Sequence, residues 1–346
     1  MFFESDGVPV MSSDSELSAG MEEPIDVVIT WVDGDDPVIR KKRFRYLENT
    51  ELEKFDDTAG ETRYRSVGEI KYCVGAILRF APFVRQIFII TDNQDPHLEE
   101  FLAKNFPDNA IPVKIVDHKV VFRGYEHLLP TFNAVSIESM MFRIPGLSER
   151  FVFLNDDFFI IAPVKPEDWF QNGRPVIYGC WRNTLVEKFR LLVHGTKDGR
   201  KVPLFKRYML NALPYVGGRT WWRFWRTLHV PLALLKSEME DFYDKHPGLL
   251  ERNASYRFRD YRQFNPQTLF HNKEAQRKNP ALRERTEYQL YLQPWPKHPE
   301  RVRERIEAET AHPRFTWCCF NSLDLMPSQD RDFFLDWLAR RIGIEV

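Results

Sequence analysis

Phe151-Val152-Phe153-Leu154-Asn155-Asp156-Asp157 runs from four apolar residues straight into an amide and two carboxylates. A run this short and this rich in Val and Phe reads as a buried strand, Phe151–Leu154, rather than a helix, and its polar end marks where the chain leaves the core. Three more runs share the form. Ile25–Val32 (IDVVITWV) leads into Asp33-Gly34-Asp35-Asp36, Gln86–Thr91 (QIFIIT) into Asp92-Asn93-Gln94, and Val113–Val116 (VKIV) into Asp117-His118. Between them, Val67–Phe80 and Pro96–Asn105 carry apolar residues at helical spacing, with Pro82 and Pro107 as stops, and Asn133–Phe142 gives a further helix before Pro145-Gly146. Such alternation predicts βα units around a mostly parallel sheet, a Rossmann-like α/β fold. Ligands of open α/β sheets lie beyond the carboxyl ends of the strands, so the four polar tips are expected to share one crevice.

The chain has 346 residues, with 43% hydrophobic and 29% charged residues, which excludes a disordered or collagenous polymer. Lys and Arg total 49 against 50 Asp and Glu, a net charge of −1, so no overall positive field holds nucleic acid. Four cysteines, at 73, 180, 318 and 319, are too few and too irregularly spaced for a disulfide framework or a zinc site. Residues 1–23 read as a flexible, acidic, Ser/Gly-rich leader without signal-peptide character, and no apolar run is long enough to span a bilayer. A cytoplasmic protein is the expectation. Residues 24–165 form the α/β part. From about Trp169 the alternation stops, and residues 166–346 read as a mainly helical part packed on the sheet, with helices over Leu232–Tyr243, Asn279–Leu292, Arg301–Glu309 and Asp330–Arg341. The boundary falls near Pro163–Gly173.

Adjacent carboxylates at a strand end suit a hard divalent cation, Mg2+ or Mn2+, that also takes oxygens from phosphate; by themselves Asp156 and Asp157 are equally a polar strand-to-loop junction. Asp33 and Gly34 form a turn where backbone comes close to a ligand, or an ordinary Asp-capped turn. Gly217–Val230 (GGRTWWRFWRTLHV) interleaves Arg219, Arg223 and Arg226 with aromatics. It suits a sugar acceptor, a membrane interface, or a core-packing helix.

Several blocks together resemble the Stealth family of sugar-1-phosphate transferases. The first is Ile25–Pro37 (IDVVITWVDGDDP). The second runs through Gly68–Tyr72 (GEIKY), Ala81–Arg85 (APFVR), Ile87–Gln94 (IFIITDNQ), Leu129–Asn133 (LPTFN), Ile137–Ser139, Arg143–Glu149 (RIPGLSE) and Phe151–Phe159 (FVFLNDDFF). A third spans His229-Val230-Pro231 to Tyr256-Arg257-Phe258-Arg259, and a weaker fourth Phe315–Asn321 (FTWCCFN). The resemblance implies a nucleotide-sugar-transferase type of fold. It further implies transfer of a sugar 1-phosphate from a nucleotide sugar, usually a UDP-sugar, to a glycan hydroxyl, forming a phosphodiester in capsule or exopolysaccharide and releasing UMP. Nucleotide sugar and glycan are then the partners, with contact to the membrane or the export machinery at the inner face.

The resemblance assigns Asp156 and Asp157 to the divalent ion, with Asn155 orienting them and Asn321 a fourth-block metal ligand. Asp33, Gly34, Asp92 and Gln94 fall on the donor side. His229 is the expected general base, against the reading of a packed residue before Pro231. Arg259, and beside it Arg257, grip phosphate, while Asn133 and Glu138 sit at a helix start that binds an anion or is simply capped. Two departures stand out. Ser322 follows Asn321 where relatives often have Asp, leaving Asp324 as a substitute, and Gly75 stands where they often have Arg. Two other functions compete: a metal-dependent glycosyltransferase releasing UDP, and a catalytically silent carbohydrate-binding homologue.

Overall fold

A computed structural model describes residues 23–47, 66–194, 204–284, 288–295, 298 and 300–346; the expected leader, apart from Glu23, lies outside them. The main sheet has the order β10-β4-β1-β2-β3, from β1 (Ile25–Thr30), β2 (Gln86–Thr91), β3 (Val113–Asp117), β4 (Arg150–Asn155) and β10 (Leu232–Leu235). β1, β2, β3 and β4 are mutually parallel, as the alternation predicts, and β10 runs antiparallel to β4. The central strands are covered on both faces, which is why Val27, Val28, Ile29, Ile87, Ile89 and Leu154 are all fully buried. Helices Glu69–Phe80, Glu99–Asn105 and Ala134–Met140 stand where the sequence places them, trimmed at their ends.

One charge lies inside this core. Asp26 is fully buried on β1, where Arg85 pairs with it at 2.5 Å and the Ser148 backbone N–H donates to it at 2.7 Å. The buried carboxylate therefore has the partners it requires. It stands at the strand start, away from the polar tips, and ties β1 to the loop before β4.

Smaller sheets flank the main one. β5 (Phe158–Ile160) pairs antiparallel with β13 (Trp317–Phe320), which pairs with β12 (Gln289–Leu292). β6 (Phe170–Gln171) and β7 (Arg174–Pro175) form a hairpin turning on Asn172 and Gly173, both at positive φ as a two-residue turn requires. β8 (Ile177–Asn183) pairs antiparallel with β9 (Arg223–Thr227) and parallel with β11 (Leu282–Arg283).

The later half departs from the helical expectation in three places. Leu232–Tyr243 divides into strand β10 and helix Lys236–Asp244, because Leu232-Ala233-Leu234 satisfies the open edge of β4. Asn279–Leu292 holds β11 and β12, with residues 285–287 outside the description. Gly217–Val230, for which a core-packing helix is one of three expectations, is a single 3₁₀ turn, Gly218–Trp221, followed by β9. In each case a pairing partner distant in sequence overrides local periodicity. The expected C-terminal helices form, over Arg301–Ala311 and Ser328–Ile342. Since β10 and β13 complete sheets begun before residue 165, the two parts of the chain interlock.

Candidate active site

The sheet order brings the polar tips into one line, Asp117, Asp92, Asp33 and then Asn155-Asp156-Asp157, at a strand spacing of about 4.8 Å. Gln94 clips two of these tips together. Its Oε1 accepts from the Asp33 N–H at 3.0 Å, and its Nε2 donates to the Asp33 carbonyl at 2.8 Å and to Asp36 Oδ2 at 3.1 Å. That bond, the first of several, holds the Asp36 carboxyl below the usual range. Asp33 Oδ1 accepts from the Asp35 N–H at 3.0 Å, and Gly34 is buried within the turn. Asp92 is paired with Lys42 at 2.5 Å. Of the two residues expected to meet substrate, Gln94 is thus engaged in building the turn and Asp92 in an ion pair with Lys42.

The tip of β4 is different. Asp156 and Asp157 are half-buried, and Glu69 comes to them from the first turn of helix Glu69–Phe80. Burial, with the charge of Glu69 next, pushes Asp157 up to about 7 and Asp156 well above the carboxylate range. Burial also raises Glu69, and Asp324 adds to the shift, so all four carboxylates crowd one region. Asp157 Oδ2 faces the Cys319 thiol at 3.9 Å, while Asp157 Oδ1 is buried with no hydrogen-bond partner. The Asp157 carbonyl accepts from the Phe320 N–H at 3.2 Å, which sets Asn321 beside it; Asn321 Nδ2 reaches the Tyr291 hydroxyl at 3.4 Å. Among the described residues no three His, Cys, Asp or Glu side chains already form a metal cage.

Arg259 is brought to this carboxylate group by a loop whose anchor is Asn133. Asn133 is fully buried; its Oδ1 accepts from the Val135 N–H at 3.1 Å. Its Nδ2 donates to the carbonyls of Tyr256 and Phe258 at 2.9 Å each and to Gln263 Oε1 at 2.8 Å. Both N–H groups of the amide are engaged by protein and the side chain is fully buried, so Asn133 positions the loop. Arg257 is held likewise: its Nε donates to the Pro130 carbonyl at 2.7 Å and its guanidinium lies 4.2 Å over the Tyr46 ring. Arg259, by contrast, has no ion pair or hydrogen bond through its guanidinium among the described residues. Its charge is felt by Asp157 on one side and by buried Glu138 on the other, whose carboxyl is raised by burial.

His229 lies in a ring of aromatics, with Tyr291 at 5.2 Å, Phe205 at 5.6 Å and Phe158 edge-on at 5.9 Å. Burial, then the nearby Arg226, lowers it to about 4, so at neutral pH the imidazole is uncharged and able to accept a proton. Tyr291 connects the two halves of the site, since its ring lies tilted against His229 and it senses the charge of Asp157. Neither Glu69 nor Tyr291 carries a sequence signal that marks it for the site. An acid in a first helical turn ordinarily just faces the helix dipole, and nothing local signals that packing carries it to the β4 tip.

Two family profiles match in chain order: Stealth protein CR1, conserved region 1, over residues 23–51, and Stealth protein CR2, conserved region 2, over residues 63–176. The chain is 32% identical over 257 residues to the capsular polysaccharide phosphotransferase WcwK of Streptococcus pneumoniae, covering 68% of this chain and 74% of that one. It is 33% identical over 265 residues to the receptor polysaccharide phosphotransferase WefC of Streptococcus gordonii, covering 69% and 74%. Among solved structures, the galactosyltransferase LgtC aligns over 93% of this chain and 96% of its own at a TM-score of 0.43 and 9% identity. With two conserved regions in order and relatives matched over most of both chains, the family suggested by the sequence blocks is the one found: the chain belongs to the Stealth protein family.

Proposed function

We propose that the chain is a phosphotransferase that moves a sugar 1-phosphate from a UDP-sugar to a hydroxyl of a glycan, releasing UMP and leaving a phosphodiester. The observation that carries this reading is the β4 tip: a buried carboxylate oxygen of Asp157 without a partner, crowded by Glu69 and Asp156, beside the unpaired guanidinium of Arg259. Carboxylates pushed together in this way favour a bound cation, and a cation–guanidinium pair is the complement of a diphosphate. The phosphotransferase names of the relatives support the same class of reaction.

Hard carboxylate oxygens fit Mg2+ or Mn2+, which Asp156 and Asp157 would hold with Asn321 at hand, and the donor's phosphates would add further oxygens. Such an ion, when bound, neutralises phosphoryl charge. The rest falls to the chain itself. Arg259 grips the phosphate whose charge rises as the P–O bond to the leaving nucleotide breaks. His229, uncharged in its aromatic ring, takes the proton from the acceptor hydroxyl as that oxygen attacks the β-phosphorus. The clipped turn of Asp33 and Gly34 receives the nucleoside, and the charge of Glu138 acts on Arg259 from a distance, without a direct pair among the described residues. Asn133, Gln94 and Arg257 act by fixing these elements.

Among the described residues no helix is long and apolar enough to cross a membrane. Leu185, Phe189 and Leu192 of helix Thr184–His194 are nevertheless exposed, as are Trp221 and Trp222 of the adjoining turn. These residues supply a surface for peripheral contact with a bilayer's inner face, where a lipid-linked acceptor resides. Purified protein incubated with UDP-sugars, Mg2+ and a short glycan tests the reaction by phosphorus NMR and mass. UMP with a phosphodiester product is the expected outcome, lost with chelator or Asp157→Ala. UDP would establish glycosyl transfer, and donor binding without turnover a silent homologue.

A further inference from the structure

A cavity of about 890 Å3 opens beside His229, walled by β8, β9, β12 and the segment from helix Arg301–Ala311 to Phe315. Four guanidiniums converge on it from separate elements: Arg182 of β8, Arg226 of β9, Arg305 of the helix, and Arg314 beyond it. No Asp or Glu is among its lining residues. All four arginines are exposed to solvent, and none has a side-chain hydrogen bond or an ion pair among the described residues. Partial burial, and after it the neighbouring Arg314 and Arg301, lower Arg305. Tyr288, Tyr291 and Phe315 line the same space with ring faces, on which sugars stack.

We propose that this cavity is an acceptor subsite for an anionic glycan, binding a phosphodiester already present in the chain that is being extended. The assignment rests on the phosphotransfer reading above. His229 opens into the cavity, so the hydroxyl it deprotonates arrives from there, whereas the donor diphosphate is met across Tyr291 at Asp157 and Arg259. Each round of sugar-1-phosphate transfer leaves one phosphodiester on the product. A cavity that binds such a group near the base therefore accepts the enzyme's own product as its next substrate. The space far exceeds one phosphate and accommodates the sugar on either side.

The test is equilibrium binding of two disaccharides to the full-length protein by calorimetry, without donor or turnover. One consists of two glucose units joined by a phosphodiester; the other is its O-methyl phosphotriester, of the same shape without the charge. The wild type is expected to bind the diester at least tenfold more tightly, with the preference falling as salt rises. Arg305→Gln with Arg314→Gln removes the preference, while Asp157→Ala on the donor side retains it. Should the double variant not fold, the single substitution Arg182→Gln on the same cavity is expected to reduce the preference. Equal or absent binding of the two compounds overturns the proposal. So does loss of the preference in Asp157→Ala with retention in the arginine variants, which would place the anion at the donor site. Failure of the phosphotransfer reading appears separately, as absence of UMP release, since binding needs no turnover.

Discussion

Asn133→Asp changes one atom and inverts the logic of the loop that carries Arg259. The retained oxygen still caps helix Ala134–Met140 through the Val135 N–H. The replaced amide nitrogen, however, is the donor to three oxygens, and the new oxygen confronts them all. The three do not suffer equally. Tyr256 O also accepts from the Ser136 hydroxyl, and Gln263 Oε1 also accepts from the Asp260 N–H, so each keeps a partner. Phe258 O loses its donor, and an orphaned buried carbonyl costs about 1–3 kcal/mol. Loss of the remaining bonds and the facing of a carboxylate against oxygens add about 2 kcal/mol more, for a total of about 4 kcal/mol. Urea unfolding followed by circular dichroism reads this directly, against about 5–15 kcal/mol of total stability for a typical domain. The new carboxyl has its folded pKa raised above the unfolded value, because protonation would supply one O–H donor. The variant's deficit therefore shrinks as pH falls through that raised pKa and grows as pH rises through it. Turnover falls with little change in donor affinity as Arg259 loses its anchor. An Asn133→Asp protein within about 1 kcal/mol of the wild type, with normal turnover, would refute the clamp and return Asn133 to the substrate side.

Replacing the proposed base by His229→Gln should leave donor affinity nearly unchanged and lower kcat by about 10²–10⁴-fold in a UMP-release assay; near wild-type turnover removes the imidazole from the reaction. Arg259→Lys keeps the charge and loses the planar fork, so a fall in kcat/KM of about tenfold or more is expected, and an equal rate shows that a point charge suffices. Gln94→Ala unclips the β1 and β2 tips; a rise in donor KM of about tenfold should accompany a loss of about 1–2 kcal/mol in unfolding free energy. Buried His271, whose ring nitrogen meets the Ala233 carbonyl at 3.0 Å, is lowered by burial to about 4 from an ordinary 6.5. Between those values the unfolded chain binds a proton that the native one does not, so stability falls as pH drops through that window. Comparing urea midpoints at pH 7 and pH 4, His271→Gln should lose about 3 kcal/mol less than the wild type, and parallel losses would contradict a neutral buried imidazole.

The parallel core was legible because each of its strands carries its own signal. IDVVIT, QIFIIT and FVFL are apolar without alternation, as strands covered on both faces must be, and polar tips mark their carboxyl ends. Family membership was legible for a related reason: the blocks that identify it are contiguous stretches around these strands. The later half was less so. LALL and QLYL have no intrinsic preference strong enough to become strands; the open edges of β4 and β13 give them backbone partners, and those edges exist only once the chain has folded.

The candidate site divides in the same way. Sequence alone fixed where the carboxylates stand, at Asp33 and at Asp156-Asp157, because a strand end is a local property. Which polar side chains remain available was decided by the tertiary structure. Asn133, Gln94 and Arg257 look like ligands in the chain, yet their side chains are engaged by carbonyls and amides from segments up to 130 residues away. Glu69, Tyr291 and the four cavity arginines look unremarkable in the chain, yet packing gathers them at one place. A hydrogen bond needs its partner within about 3 Å, and that proximity is a property of the folded chain, invisible in the order of its residues.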